Sequence, residues 1–62
     1  MSEYRLYTLN ELGHVRGRLV LHCRSDADAV SLVERRRNGE PMELWQEDRK
    51  VHSFPMVLHA AE

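Results

Sequence analysis

The chain has 62 residues, 42% of them hydrophobic, with 9 Lys and Arg against 10 Asp and Glu, and Cys23 is its one cysteine. A domain of this size buries only about 60% of the surface its unfolded form exposes, and the lone thiol excludes an internal disulfide as a staple. The balanced charge gives no overall attraction to a phosphate backbone, no apolar run approaches the ~20 residues of a spanning helix, and the start Met1-Ser2-Glu3-Tyr4-Arg5 has no signal-peptide character.

Residues 3–9 alternate as a strand does, with Tyr4, Leu6 and Thr8 on one face and Arg5, Tyr7 and Leu9 on the other. Asn10-Glu11-Leu12-Gly13 is a turn signal, because Asn and Gly adopt positive φ at low cost. Gly17 marks the end of that connection or a bulge. Residues 18–23 form a second strand, with Leu19, Leu21 and Cys23 opposite Arg18, Val20 and His22.

A helix is predicted over residues 26–38. Ser25 caps its start and Asp28 stands three residues on, a short-armed capping box. Asp26 and Asp28 complement the positive end of the helix dipole, and Arg35, Arg36 and Arg37 the negative end. Ala29, Val30, Leu32 and Val33 supply the apolar stripe. Asn38-Gly39 is expected to stop the helix with a left-handed residue, and Pro41 prevents its resumption.

Residues 42–46 alternate again, with Met42, Leu44 and Gln46 against Glu43 and Trp45. Glu47-Asp48 is a tight turn. Residues 49–54 form the fourth strand, with Val51 and Ser53 against His52 and Phe54. Pro55 ends it, and the tail 55–62 is apolar for a free terminus. The expected domain is therefore single, ordered over about residues 3–54.

This pattern predicts an α+β domain of ββαββ order: a four-stranded, mostly antiparallel sheet with one helix on one face. By topological analogy the strand order is 2-1-4-3, with the terminal strands paired in the middle. The segments Tyr4-Arg5-Leu6-Tyr7-x-Leu9, Gly13-His14-Val15, Asp26-Ala27-Asp28-Ala29-Val30 and Glu43-Leu44-Trp45-Gln46 resemble short bacterial proteins of the same element order. The likeness covers about residues 4–53 and its motifs are structural. It implies a fold and no activity.

One helix covers one sheet face. With Leu6, Leu19, Leu21, Leu44 and Val51 toward the helix, alternation leaves Tyr7, Leu9, Val20, Trp45 and Phe54 on the other side. An uncovered sheet face in water is normally polar. An aromatic and aliphatic patch among charges marks a contact surface, so these five residues are the candidate interface, with a homodimer through this face or a sheet edge as the favoured assembly. The competing readings fold the tail back over them or leave them as singly tolerated exposed residues.

The reading for chemistry is bland. His22 and Cys23 are adjacent in a strand and point to opposite faces, so they cannot share an ion or form a nucleophilic pair. His22 and His52 are expected on one face, two strands or roughly 10 Å apart, too far for one zinc with Zn–N bonds of about 2.0–2.1 Å. Cys23 is expected to act as a small buried hydrophobe. No catalytic residue, cofactor site or metal site is assigned. The expected function is a non-catalytic, cytoplasmic protein–protein interaction or accessory role. The alternative is a nucleic-acid-associated regulator using Arg35, Arg36 and Arg37 at the basic helix end.

Overall fold

The computed structural model describes residues 1–57. Its elements run β1 (Ser2–Leu9), β2 (Val15–Cys23), α1 (Asp26–Arg36), β3 (Met42–Gln46) and β4 (Arg49–Phe54). The strands form one sheet in the order β2-β1-β3-β4, and all three neighbouring pairs are antiparallel. The ββαββ α+β domain is as the alternation predicts. The strand order is not: β3, rather than β4, lies beside β1.

Chain direction supplies the reason. β3 runs opposite to β1 and β4 runs opposite to β3, so β4 is parallel to β1. Placing β4 next to β1 would create a parallel pair, which is slightly less stable per residue than an antiparallel one. The observed order also lets α1 step over β1 alone on its way from β2 to β3. An 11-residue helix is only about 16 Å long, and the shorter crossing suits it.

The register places Tyr4 opposite Leu21 and Leu6 opposite both Leu19 and Leu44. These residues therefore share the helix side of the sheet. The core comprises Tyr4, Leu6, Cys23, Ala29, Val33, Leu44 and Phe54, with Leu21, Val30, Leu32, Met42 and Val51 packed against it. Cys23 is a buried free thiol, as its place at the end of β2 predicts.

Phe54 corrects the expected faces. It is 1% exposed, in the core rather than on the open side. In the β3–β4 pairing Leu44 faces His52 and Trp45 faces Lys50, which leaves Val51 as the extra residue of a bulge. One extra residue inverts strand parity beyond it. His52 and Phe54 thus join Leu44 and Met42 on the helix side, with their rings 4.6 Å apart, edge to face.

Local polar groups hold the connections. The Asn10 side-chain oxygen accepts from the backbone N–H groups of Leu12 and His14, both at 2.9 Å. Gly13 takes a φ of 85°. This tight closure brings the chain back early, so β2 begins at Val15 and runs through Gly17, three residues before the expected start. The irregularity beside Thr8 and Leu9 leaves Arg16 as the unpaired residue, next to Gly17.

Ser25 is extended, and its hydroxyl accepts from the Asp28 N–H at 3.2 Å, satisfying one of the free donors at the helix start. The helix ends sooner than predicted. Arg37 is already extended at the C-cap, with φ −78° and ψ 155°. Gly39 does take a positive φ of 83°, but two residues past the cap, where it turns the loop toward β3. The early stop accompanies an engaged Arg37 side chain. Its Nη2 donates to the carbonyl of Glu40 at 2.6 Å and to that of Pro55, and its guanidinium lies 5.3 Å from the centre of the Phe54 ring. A helical Arg37 would carry that group away from both carbonyls.

A second clamp joins the other ends. The Tyr4 hydroxyl donates to Asp26 Oδ1 at 2.7 Å. Arg49 donates to both Asp26 oxygens, at 2.9 and 3.2 Å, the bidentate geometry that gives Arg–carboxylate pairs their specificity. Arg49 also donates to the Gln46 side chain. β1, the helix start and the β3–β4 turn are tied through one carboxylate.

Candidate functional site: two exposed surfaces around β2

The face without a helix carries four of the five expected interface residues. Val20 and Trp45 both stand opposite Arg5, and Tyr7 stands between Arg18 and Glu43. Leu9 pairs with Val15, which is 51% exposed and belongs to the same face. Val20 is exposed, while Tyr7, Leu9 and Trp45 are half-buried among their neighbours. Phe54 is not part of this surface, for the parity reason given above.

Charges of both signs are interleaved with these apolar groups. Glu3 pairs with Arg5 at 3.5 Å and Glu43 with Lys50 at 3.6 Å. Trp45 Nε1 donates to Glu43 Oε1 at 3.1 Å, which ties the indole to its neighbour along β3. Bonds to Tyr7 and then to Glu3 push the Arg5 pKa further up, so its charge is constant at any working pH. The face therefore combines an apolar centre with two ion pairs and, at its β2 edge, Arg18, which enters no ion pair among the described residues.

The second surface was not legible as such in the sequence. Leu19 is on the helix side, as alternation predicts, yet it is 57% exposed. It lines a groove of about 170 Å³ together with Leu6, Leu21, Leu32, Val33 and Arg36. Periodicity assigns Leu19 to the correct face but cannot tell that α1 leaves this part of β2 uncovered. Among the described residues the outer edge of β2 has no neighbouring strand, so its backbone polar groups border the same groove.

The basic helix end is divided. Arg35 and Arg36 are exposed, whereas Arg37 is turned inward onto Glu40, Pro55 and Phe54. Only two of the three arginines are available to a phosphate. The histidines are further apart than expected, since His52 lies on the helix side and His22 on the open side, at opposite edges of the sheet. Among the described residues no three His, Cys, Asp or Glu side chains are gathered as metal ligands would be.

A wider cleft of about 500 Å³ lies at the end of the sheet between Leu12, Pro41, Met56 and their neighbours. The described part of the tail runs here, with the Val57 N–H donating to the Gly39 carbonyl at 2.9 Å. The expectation that the tail covers the open face otherwise falls on residues 58–62, outside the described residues.

No helix among the described residues is long and apolar enough to cross a membrane. Comparison with protein-family models, curated proteins and solved structures finds no match; of the expected resemblance, the described residues show the strand-strand-helix-strand-strand pattern.

Proposed function

We propose that this protein is a non-catalytic interaction module that self-associates through its open sheet face. The observation that carries the reading is Tyr7, Leu9, Val15, Val20 and Trp45 on one face that no helix covers. Four strands at ~4.8 Å spacing, of 8, 9, 5 and 6 residues, give a face of roughly 19 by 23 Å. Burying it on two copies removes about 900 Å² from water, close to the ~1,000 Å² of a small specific interface. The interleaved Glu3, Arg5, Glu43 and Lys50 are self-complementary, which a two-fold contact requires. A cytoplasmic setting belongs to the same reading, supported by the single thiol being free rather than disulfide-bonded; a bacterial source is carried over from the resemblance alone.

Light scattering across a dilution series tests it. A mass of two chains at micromolar concentration is expected. Trp45→Glu should return the mass of one chain, while Arg36→Glu, on the other side of the sheet, should not. A single-chain mass at every concentration overturns the proposal. The nucleic-acid alternative has less support with Arg37 internally engaged. It predicts steeply salt-dependent binding to DNA, which an apolar face does not produce.

A further inference from the structure

We infer that the outer edge of β2 is a docking strand for an extended acidic–apolar segment of another protein, which would add a fifth strand to the sheet. This edge adjoins the face proposed for self-association and shares Val20 with it, but its apolar groove lies on the helix side of the sheet. The argument begins with the edge. β2 is nine residues long and contains no proline, and among the described residues it is hydrogen-bonded to β1 alone. An unpaired edge of this kind is a template for strand addition, with backbone bonds supplying affinity and alternate side chains supplying specificity.

The alternation at this edge is chemically sharp. Toward the helix it presents Leu19 and Leu21, bordering the apolar groove floored by Leu6, Leu32 and Val33. Toward the open face it presents Arg18, Val20 and His22. A strand laid alongside would therefore place one set of side chains over apolar surface and the alternate set beside basic groups. An alternating apolar–acidic segment satisfies both sides at once.

Charge selects this occupant over a second copy. β2 carries Arg16, Arg18 and His22 and no Asp or Glu. Arg18, and Arg36 at the groove rim, enter no ion pair among the described residues. Two β2 strands placed edge to edge would oppose basic groups with no carboxylate from either strand, and like charges across a strand pair are destabilising. A nucleic acid would match the arginines but would leave the groove's leucines without a partner.

The test uses two dye-labelled ten-residue peptides read by fluorescence anisotropy. One alternates Leu or Val with Asp or Glu, and the other carries Lys at every acidic position. A labelled DNA duplex is the third probe. The acidic peptide should bind at least tenfold tighter than the lysine peptide. Leu19→Gln and Arg18→Glu should each weaken it at least tenfold, while Trp45→Glu leaves it within twofold. Because Leu19 is 57% exposed, Leu19→Gln is expected to fold, and circular dichroism checks that it does.

Equal binding of the two peptides, or none up to millimolar concentration, overturns the inference. So does tighter binding of the duplex than of the acidic peptide. A dimer abolished by Leu19→Gln without any peptide overturns it in favour of a second copy at this edge. Loss of the dimer on Trp45→Glu with peptide binding intact supports both readings. An unchanged dimer with peptide binding intact defeats only the open-face reading.

Discussion

The two edges of this sheet are built from similar material and finished in opposite ways. β4 is a basic six-residue strand, yet its edge is closed by its own side chains. Val51 bulges out of the pairing, Pro55 follows directly, and Arg37 reaches across to the Pro55 carbonyl and over the Phe54 ring. Arg49 and Lys50 are engaged with Asp26 and Glu43. β2 is longer and equally basic, but its middle has none of these devices. Leu19 and Val20 are 57% and 50% exposed there. Bulges, proline and tethered charges are the ordinary means of protecting an edge from stray pairing. Their concentration on β4 shows what an edge closed against pairing looks like in this protein, and identifies β2 as the edge left open.

The contrast is most strongly tested by truncation on the helix side of each edge strand. Phe54→Ala empties a core position and should cost about 3–5 kcal/mol in a denaturant melt, enough to unfold much of so small a domain. Leu19→Ala, on the same side of the sheet, should cost under about 1 kcal/mol, because the side chain is already largely in water. Comparable losses from the two would show that β2 is not open. Both melts must be run at one protein concentration, since association adds to apparent stability.

Next in size is the latch that closes β4. Arg37→Leu removes the donor to the Glu40 and Pro55 carbonyls, and hydrogen bonds to charged groups are worth about 1.5–3 kcal/mol. The expected signature is faster amide exchange in residues 49–57 with β2 unchanged. A uniform change across the sheet would show that Arg37 stabilises the whole domain rather than one edge.

Gly39→Val tests the loop that Arg37 braces. A β-branched residue resists the observed φ of 83°, so a loss of roughly 1 kcal/mol or more is expected. The α1 circular dichroism signal should persist, because the helix already ends at Arg37. Loss of helix content would restore Gly39 as the helix stop.

The smallest effect concerns pH. The Arg49 bonds, and then the Tyr4 hydroxyl, hold the Asp26 carboxyl below the usual carboxylate range. A lowered folded value means stability that is present above the unfolded pKa of about 3.9 and is lost as pH falls through the folded value. Asp26→Asn should therefore flatten the acid limb of the stability curve below about pH 4. An unaltered acid limb would place the acid sensitivity elsewhere. The same contact raises the Tyr4 hydroxyl above its ordinary value, so a spectroscopic titration of Tyr4 should move down toward normal in the variant.

What the sequence determined by itself is what depends on near neighbours along the chain. Alternation in residues 3–9 and 42–46, the Ser25 cap and the Asn10–Gly13 turn set strands, helix start and connection, because each acts within a few residues. The side of Leu6, Leu19, Leu21 and Leu44 follows from the same period. Only the tertiary structure decided the strand order, since the pairing of β1 with β3 depends on chain direction and the reach of α1. It also decided the side of Phe54, because the bulge at Val51 answers to the register with β3 and no local residue announces it. The extended Arg37 at the helix end also makes a long-range contact, to the Pro55 carbonyl 18 residues away, which no local pattern shows. The exposure of Leu19 is likewise tertiary: its face is written in the alternation, but whether a helix lies over it is settled only by where α1 crosses the sheet.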